Sequence, residues 1–456
     1  MKKIPNQKKN TNSNNKLTPQ NILQIIEENN PEEINDLLNT GININVTNKS
    51  GTAPIHYASI EPNDIDILKS LISLGADVHA TDKTGKTALH YAAAYNSNVE
   101  VLKYLIDQGI DIDVREQDDL TPLHLAAAYN SNIAIAKYLI ERGANINARG
   151  KSGETPLHCA AEINSKTEVL EYFISQGSDI NAQDDDGAAV IHYAAWNESG
   201  IDILKYLVSQ GANIETLDND GATVLHYAAS ENSDVDVLKY LISKKININI
   251  QDNDGKTPFH YAAETNPNVN VLKYLISQRA IAKIQDHNGT TALQYAAANP
   301  NLNVLKYLVS LGLDIHVQNH QHRTMLHLAA GSNSNPNVLE YLISKGIPVD
   351  ALDQRSATAL HFAAQTNVDN FEEIINCLLY HNAHVSALDI YGCTPLNYAI
   401  RAHGRNSEIA NLLRSRGSVS FLAWVVPSCL IATILFVVLL IGGFIYFLWC
   451  LICFFF

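Results

Sequence analysis

A phrase close to Thr-Ala-Leu-His-Tyr-Ala-Ala recurs eleven times in this chain, and its spacing constrains the fold more than any other feature. Thr87–Ala93 is one copy; the others begin at Ala53, Thr121, Thr155, Ala189, Thr223, Thr257, Thr291, Thr324, Thr358 and Thr394. The interval is 34 residues through the first eight copies, then 33, 34 and 36. A fixed period of this size marks a solenoid, in which each repeat packs only on its neighbours. Such stacking escapes the size limit on a single core, which a chain of 456 residues would exceed. A solenoid offers a long surface rather than an enclosed active site.

One repeat reads as two antiparallel helices and a projecting finger. Thr87 stands at the first N-cap, where its hydroxyl is expected to accept a hydrogen bond from an unpaired backbone N–H. Proline follows at Pro122, Pro156, Pro258 and Pro395, positions where a missing N–H costs nothing. Ala92 and Ala93 are small enough to let neighbouring repeats approach. Val101, Leu102, Leu105 and Ile106 recur at helical spacing and predict the core face of the second helix. Gly109 then closes it, since glycine takes a left-handed C-cap without a Cβ penalty. Two successive repeats carry Lys245 and Arg279 at the closing position, and three fingers carry Asp119, His322 and Ser356 where others have glycine. Left-handed backbone costs such residues about 1 kcal/mol or more, so the stack is expected to be weakest around 240–290.

Three segments carry a family resemblance: Asp82-Lys83-Thr84-Gly85, Thr121-Pro122-Leu123-His124-Leu125-Ala126-Ala127 and Gly143-Ala144-Asn145-Ile146-Asn147. Together they resemble the ankyrin repeat, and the resemblance spans residues 17–418. It implies an all-α solenoid of helix pairs with β-hairpin fingers, its eleven repeats filling 51–418. They start near 51, 85, 119, 153, 187, 221, 255, 289, 322, 356 and 392. A capping helix pair is expected at 17–50, with Ile25, Ile26, Leu37 and Leu38 apolar. Ser407–Arg416 is expected to close the far end with Ile409, Leu412 and Leu413 inward. The resemblance also makes nine of the seventeen histidines structural: His56, His90, His124, His158, His192, His226, His260, His327 and His361. Gln294 and Asn397 replace this residue twice, and both can still form hydrogen bonds.

Charge and motif content exclude several functions. Lys+Arg number 32 against 47 Asp+Glu, a net charge of −15. That balance argues against nucleic acid, whose binding rests on basic residues neutralising phosphates. The six cysteines point to a reducing compartment without a disulfide framework. Residues 1–16 are Asn-rich and basic, lack the apolar region of a secretory signal, and are expected to be disordered. HExxH, GxSxG, the P-loop and the kinase motifs are all absent. The chain therefore reads as a non-enzyme with no cofactor, no metal and no small-molecule substrate. His316, His320 and His322 cluster in one finger, but no nearby cysteine or carboxylate completes a metal site, and they read as a polar finger.

The resemblance places a protein partner along a concave face, exposed at the finger tips and at the two residues after Ala-Ala. Four consecutive repeats offer a large apolar residue there: Tyr95, Tyr129, Ile163 and Trp196. Aromatic residues dominate binding hot spots. Below them, Asp184, Asp185 and Asp186 form an acidic finger, suggesting a partner with a basic rim. The alternative reading turns the same apolar side chains inward as packing.

After the last repeat every charge disappears. Residues 421–456 form an apolar stretch long enough for a C-terminal transmembrane helix, since about 20 apolar residues span the bilayer core. The expected span is Pro427 to Leu448, with Trp424 and Trp449 near the two interfaces. Arg401, Arg405, Arg414 and Arg416 precede it, so the positive-inside rule puts the repeats in the cytoplasm, as in a single-pass, tail-anchored protein. Gly442-Gly443 leaves a shallow hairpin open, and Cys450 and Cys453 are candidate acylation sites. The functional reading is a membrane-anchored scaffold. The rivals are a subunit or regulator of a channel or transporter, and a secreted microbial effector or adaptor acting on host membranes.

Overall fold

The computed structural model describes residues 43–418 apart from 61–64, 165, 199, 367 and 369. They fall into two compact units that divide between His287 and Asn288. The leader at 1–16, most of the capping pair at 17–50 and the apolar segment 421–456 lie outside the described residues. Among the described residues, no helix is long and apolar enough to cross a membrane.

The first unit contains seven helix pairs: α1 (Pro54–Ala58) and α2 (Ile65–Ser73), α3 (Ala88–Tyr95) and α4 (Val99–Asp107), α5 (Pro122–Tyr129) and α6 (Ile133–Glu141), α7 (Pro156–Ile163) and α8 (Thr167–Ser175), α9 (Val190–Trp196) and α10 (Ile201–Ser209), α11 (Val224–Ser230) and α12 (Val235–Ser243), α13 (Pro258–Glu264) and α14 (Val269–Ser277). The second contains four: α15 (Ala292–Tyr295) and α16 (Leu302–Ser310), α17 (Met325–Ser332) and α18 (Pro336–Ser344), α19 (Ala359–Gln365) and α20 (Phe371–Tyr380), α21 (Pro395–His403) and α22 (Glu408–Ser415). Each odd-numbered helix carries the repeated phrase.

Helices this short are not stable alone. They persist because Leu89, Ala92 and Ala93 of α3, and Val101, Leu102 and Leu105 of α4, are fully buried, as are their counterparts along each unit. A buried leucine contributes about 2 kcal/mol. Helix α15 is the exception at four residues. Its repeat is one residue shorter, and the chain leaves it through i→i−3 bonds from Ala297 to Gln294 and from Ala298 to Tyr295.

The fingers are turns rather than β-hairpins, and no strand forms among the described residues. In the finger before α3, Asp82 Oδ1 accepts the N–H groups of Thr84 and Lys86 at 2.8 and 2.9 Å. The carboxylate thus takes donors that a hairpin ladder would use, and what remains are isolated bridges such as Gln183–Ala189 and Leu217–Thr223. Fingers join instead to one another: Gln117 N–H donates to the Thr84 carbonyl at 2.8 Å, and Asn219 N–H to that of Asp186 at 2.9 Å.

The left-handed positions fall where glycine is replaced. Lys245 and Arg279 have φ of 68° and 72°, and Asp119, His322 and Ser356 have 58°, 57° and 58°. Asn382, at 65°, is a further closing residue of this kind. A Cβ on the closing Gly109 or Gly143 would meet nothing within 4 Å, whereas one on the finger Gly51 would lie 2.8 Å from Lys83 N. Closing-position replacements therefore strain the backbone alone. At the far end of the second unit, α22 buries Ile409, Ala410 and Leu413, while Leu412, expected inward, is only half-buried. An i, i+1, i+4 stripe fits the helix face better than one that includes Leu412.

Candidate partner-binding face

Within each unit, two buried seams hold the odd-numbered helices in register, and the row of exposed helix ends is built on them. The first is the histidine of the phrase. Thr87 N–H donates to His90 Nδ1 at 3.1 Å, while His90 Nε2 lies 3.1 Å from the Leu120 carbonyl in the next repeat. A backbone N–H can only donate and a carbonyl can only accept, so the imidazole is neutral and protonated at Nε2. Thr87 Oγ1 turns to the same Nδ1 at 3.0 Å. The expected cap is therefore reversed: the ring satisfies the N-cap N–H, and the threonine hydroxyl accepts no helix N–H there. Thr223 and Thr394 do accept one. Ala53 and Ala189, which have no hydroxyl, still donate their N–H to His56 and His192 at 2.9 Å. Gln294 reproduces the bridge, with Oε1 accepting from Thr291 N–H at 3.0 Å and Nε2 donating to the Arg323 carbonyl at 3.3 Å. Burial pulls His90, His124, His158 and His226 down to about 4. These rings are structural.

The second seam is asparagine. Asn130 Nδ2 donates to the carbonyls of Ala93 and Asn96, both at 2.8 Å, and its Oδ1 accepts Asn132 N–H at 2.8 Å. Asn132 in turn caps α6 and reaches back to the Ser97 carbonyl. Buried asparagines at 96, 164, 232 and 266 make the same backward bonds in the first unit, as does Asn333 in the second. Sequence reasoning missed this seam, although its signal, Asn-x-Asn at the repeat period, is visible at 96–98, 130–132, 266–268, 299–301 and 333–335.

The asparagine seam aligns the apolar residues. Tyr95, Tyr129, Ile163 and Trp196 are each the last residue of their helix, and each directly precedes an asparagine of the seam. Trp196 joins the row although it is one residue early by the period. Asn197 makes the backward bonds to Ala161 and Asn164, and α9 ends one residue sooner. The four side chains are 56, 50, 42 and 41% exposed, so inward packing is not what the structure adopts. The Tyr95 and Tyr129 rings stand 6.2 Å apart, and Trp196 meets the Tyr227 ring edge-on at 6.3 Å. Tyr129 divides two shallow pockets. One, of about 150 Å³, is lined by Lys86, Tyr91, Tyr95 and Leu125; the other, of about 210 Å³, by Ala128, Ile163 and Lys166. In the next two repeats the residue before the asparagine is Glu231 and then Thr265.

The acidic finger divides by role. Asp184 is buried, and its carboxylate accepts Ala188 N–H at 2.8 Å and the Tyr193 hydroxyl at 2.6 Å. It holds its own finger closed and is not presented to a partner, which corrects the sequence expectation. Asp185 is exposed and paired with Arg149 at 2.7 Å. Asp186 is exposed. Among the described residues no group of three His, Cys, Asp or Glu gathers as a metal site, so His316, His320 and His322 do not converge.

A family model for ankyrin repeats in three copies matches overlapping windows at residues 60–150, 92–184, 147–218, 191–282, 225–319, 265–353 and 326–420. No curated protein matches the chain. With helix pairs and finger turns repeated through the matched region, the chain belongs to the ankyrin repeat family.

Proposed function

We propose that this chain is a scaffold that captures a protein partner on the helix-end row of repeats two to five, and that residues 421–456 anchor it to a membrane with the repeats in the cytoplasm. The observation that carries the binding reading is the row itself. Four large apolar side chains occupy equivalent places on consecutive repeats and remain about half exposed, where the next two repeats have Glu231 and Thr265. Exposed apolar groups in a continuous line mark interaction surfaces. Tyr95, Tyr129, Ile163 and Trp196 are the contact residues, with Asp185 and Asp186 on the finger rim. The anchor rests on 36 uncharged residues preceded by four arginines. Tethering raises the effective concentration of partners at the membrane, so a modest interface suffices.

Proximity labelling in the native cell tests the reading, comparing wild type with a Tyr95→Ala, Tyr129→Ala, Trp196→Ala variant of verified fold. Loss of a few cytosolic proteins from the labelled set is the expected result. An unchanged set moves the site off the row, and labelling confined to membrane proteins favours a channel or transporter subunit. Resistance of the full chain to alkaline extraction from membranes, lost on deleting 421–456, tests the anchor.

A further inference from the structure

If the row binds a protein segment, as proposed for Tyr95, Tyr129, Ile163 and Trp196, the chemistry of that segment is written beside it in repeat four. Glu154 precedes Thr155 of the repeated phrase, and Glu162 follows its Ala160-Ala161. Three periods later the same two positions hold Lys256 and Glu264. There the slot is closed from within. Lys256 Nζ lies 3.2 Å from Glu264 Oε2, with both side chains largely buried, and sits 5.6 Å from the centre of the Tyr261 ring.

In repeat four the cation's place is taken by a second carboxylate. Glu154 bends back to its own finger, where Gly150 stands in for the usual aspartate, and accepts Ser152 N–H at 3.0 Å. Glu162 is half-buried and has no hydrogen bond or ion pair among the described residues. Burial raises its pKa, and the Glu154 charge raises it further. The neighbouring cations point elsewhere: Lys166 reaches the Ser131 carbonyl, and Arg149 holds Asp185 and the Gln183 carbonyl. The slot lies on the row itself, since Glu162 is next to Ile163 and its charge acts on Tyr129.

We infer that the partner segment places a Lys or Arg side chain between Glu154 and Glu162, with apolar residues on either side resting on Tyr129, Ile163 and Trp196; this rests on the row being the binding face. The Lys256–Glu264 pair shows within this same chain how a cation completes such a slot. A basic side chain flanked by apolar ones matches both the apolar row and the uncompensated carboxylates.

The test uses the full chain in detergent and a random twelve-residue peptide library displayed on phage. Wild type is expected to select peptides that share a basic residue next to apolar ones. Glu162→Gln, which keeps the shape of the slot, is expected to weaken those peptides about tenfold, the worth of one charge-assisted hydrogen bond. Replacing the basic residue of a selected peptide by glutamine should cost the same and add nothing further on Glu162→Gln. A Tyr129→Ala, Trp196→Ala variant is expected to lose them all. Peptides that need the row but show no basic preference would overturn the cation inference and leave the row standing. Peptides that bind the row-deleted variant equally well, or no selected peptide at all, would overturn both.

Discussion

Repeats two to five and repeats six and seven share one framework and differ in what it presents. The asparagine seam runs through both sets; the histidine Nε2 reaches a carbonyl in repeats two, three, six and seven, whereas His158 and His192 Nε2 in repeats four and five have no such partner among the described residues. The residue before the seam asparagine is Tyr95, Tyr129, Ile163 or Trp196 in the first set, and Glu231 or Thr265 in the second. The two positions beside it are both acidic at Glu154 and Glu162, and form an internal ion pair at Lys256–Glu264. The asparagine seam cannot lose its side chains without leaving buried carbonyls unpaired, whereas the helix ends are released from that duty. Binding chemistry belongs where the framework makes no demand.

The largest expected effect falls on the shared framework. His90, His124, His158 and His226 are held at about 4 by burial, well below the ordinary value near 6.5. Their folded pKa is depressed, so protons bind the unfolded chain first. The first unit keeps its full stability above about pH 6.5 and loses it as pH falls toward 4, by up to about 1.4 kcal/mol per pH unit for each histidine. Urea unfolding between pH 7 and pH 5 measures this. His90→Gln should remove one histidine's share of the slope while keeping the bridge, as Gln294 does naturally; an unchanged slope would show that this ring does not set the pH response.

Next comes a contrast between adjacent residues. Asn130→Ala removes two bonds to the preceding repeat and one within its own loop, and should destabilise by about 3 kcal/mol. Tyr129→Ala, one residue earlier but half exposed, should stay within about 1 kcal/mol. Equal losses would mean that the row is packing after all. A smaller effect, of opposite sign, is expected at the closing positions: Lys245→Gly and Arg279→Gly should each stabilise by about 1 kcal/mol by removing left-handed strain where nothing crowds the site. Hydrogen exchange that is slowest across 240–290 would contradict the same account.

How much of this was legible in sequence depends on what repeats. The period and the helix pairs follow from residue type, and the left-handed Lys245 and Arg279 follow from their place in the period, so the chain states all of them plainly. The role of the threonine was misread because its partner is the ring three residues on, and the cap preference alone points the hydroxyl at the helix. The hairpin expectation failed because it overlooked that Asp82 and its counterparts take the N–H groups a ladder needs. Asn-x-Asn was in view at a fixed period, yet its meaning depends on carbonyls 34 and 37 residues away. The alignment of Trp196 was hidden for the same reason: counting from the phrase puts it one place early, and only the shift of the backward bonds to Asn197 restores it to the row. Asp184 and Asp186 look alike in sequence, and only the Tyr193 hydroxyl separates a buried latch from an exposed rim.

The finest test of the comparison applies one substitution to one position in two repeats. Glu264→Gln removes the counter-charge of the largely buried Lys256 and should destabilise by about 1 kcal/mol, more than an exposed pair would lose. Glu162→Gln removes a half-buried charge that has no partner and is repelled by Glu154, so its effect should be smaller and of opposite sign, a few tenths of a kcal/mol of stabilisation at about pH 7. Denaturation of the two variants side by side, with salt varied, measures both signs. Salt should shrink the two effects toward each other, since each is a charge interaction near the surface. Two losses of equal size would mean that Glu162 already has a compensating cation within the chain, leaving no vacancy for a partner's basic side chain. Opposite signs would mean that repeat seven supplies from within what repeat four must take from outside.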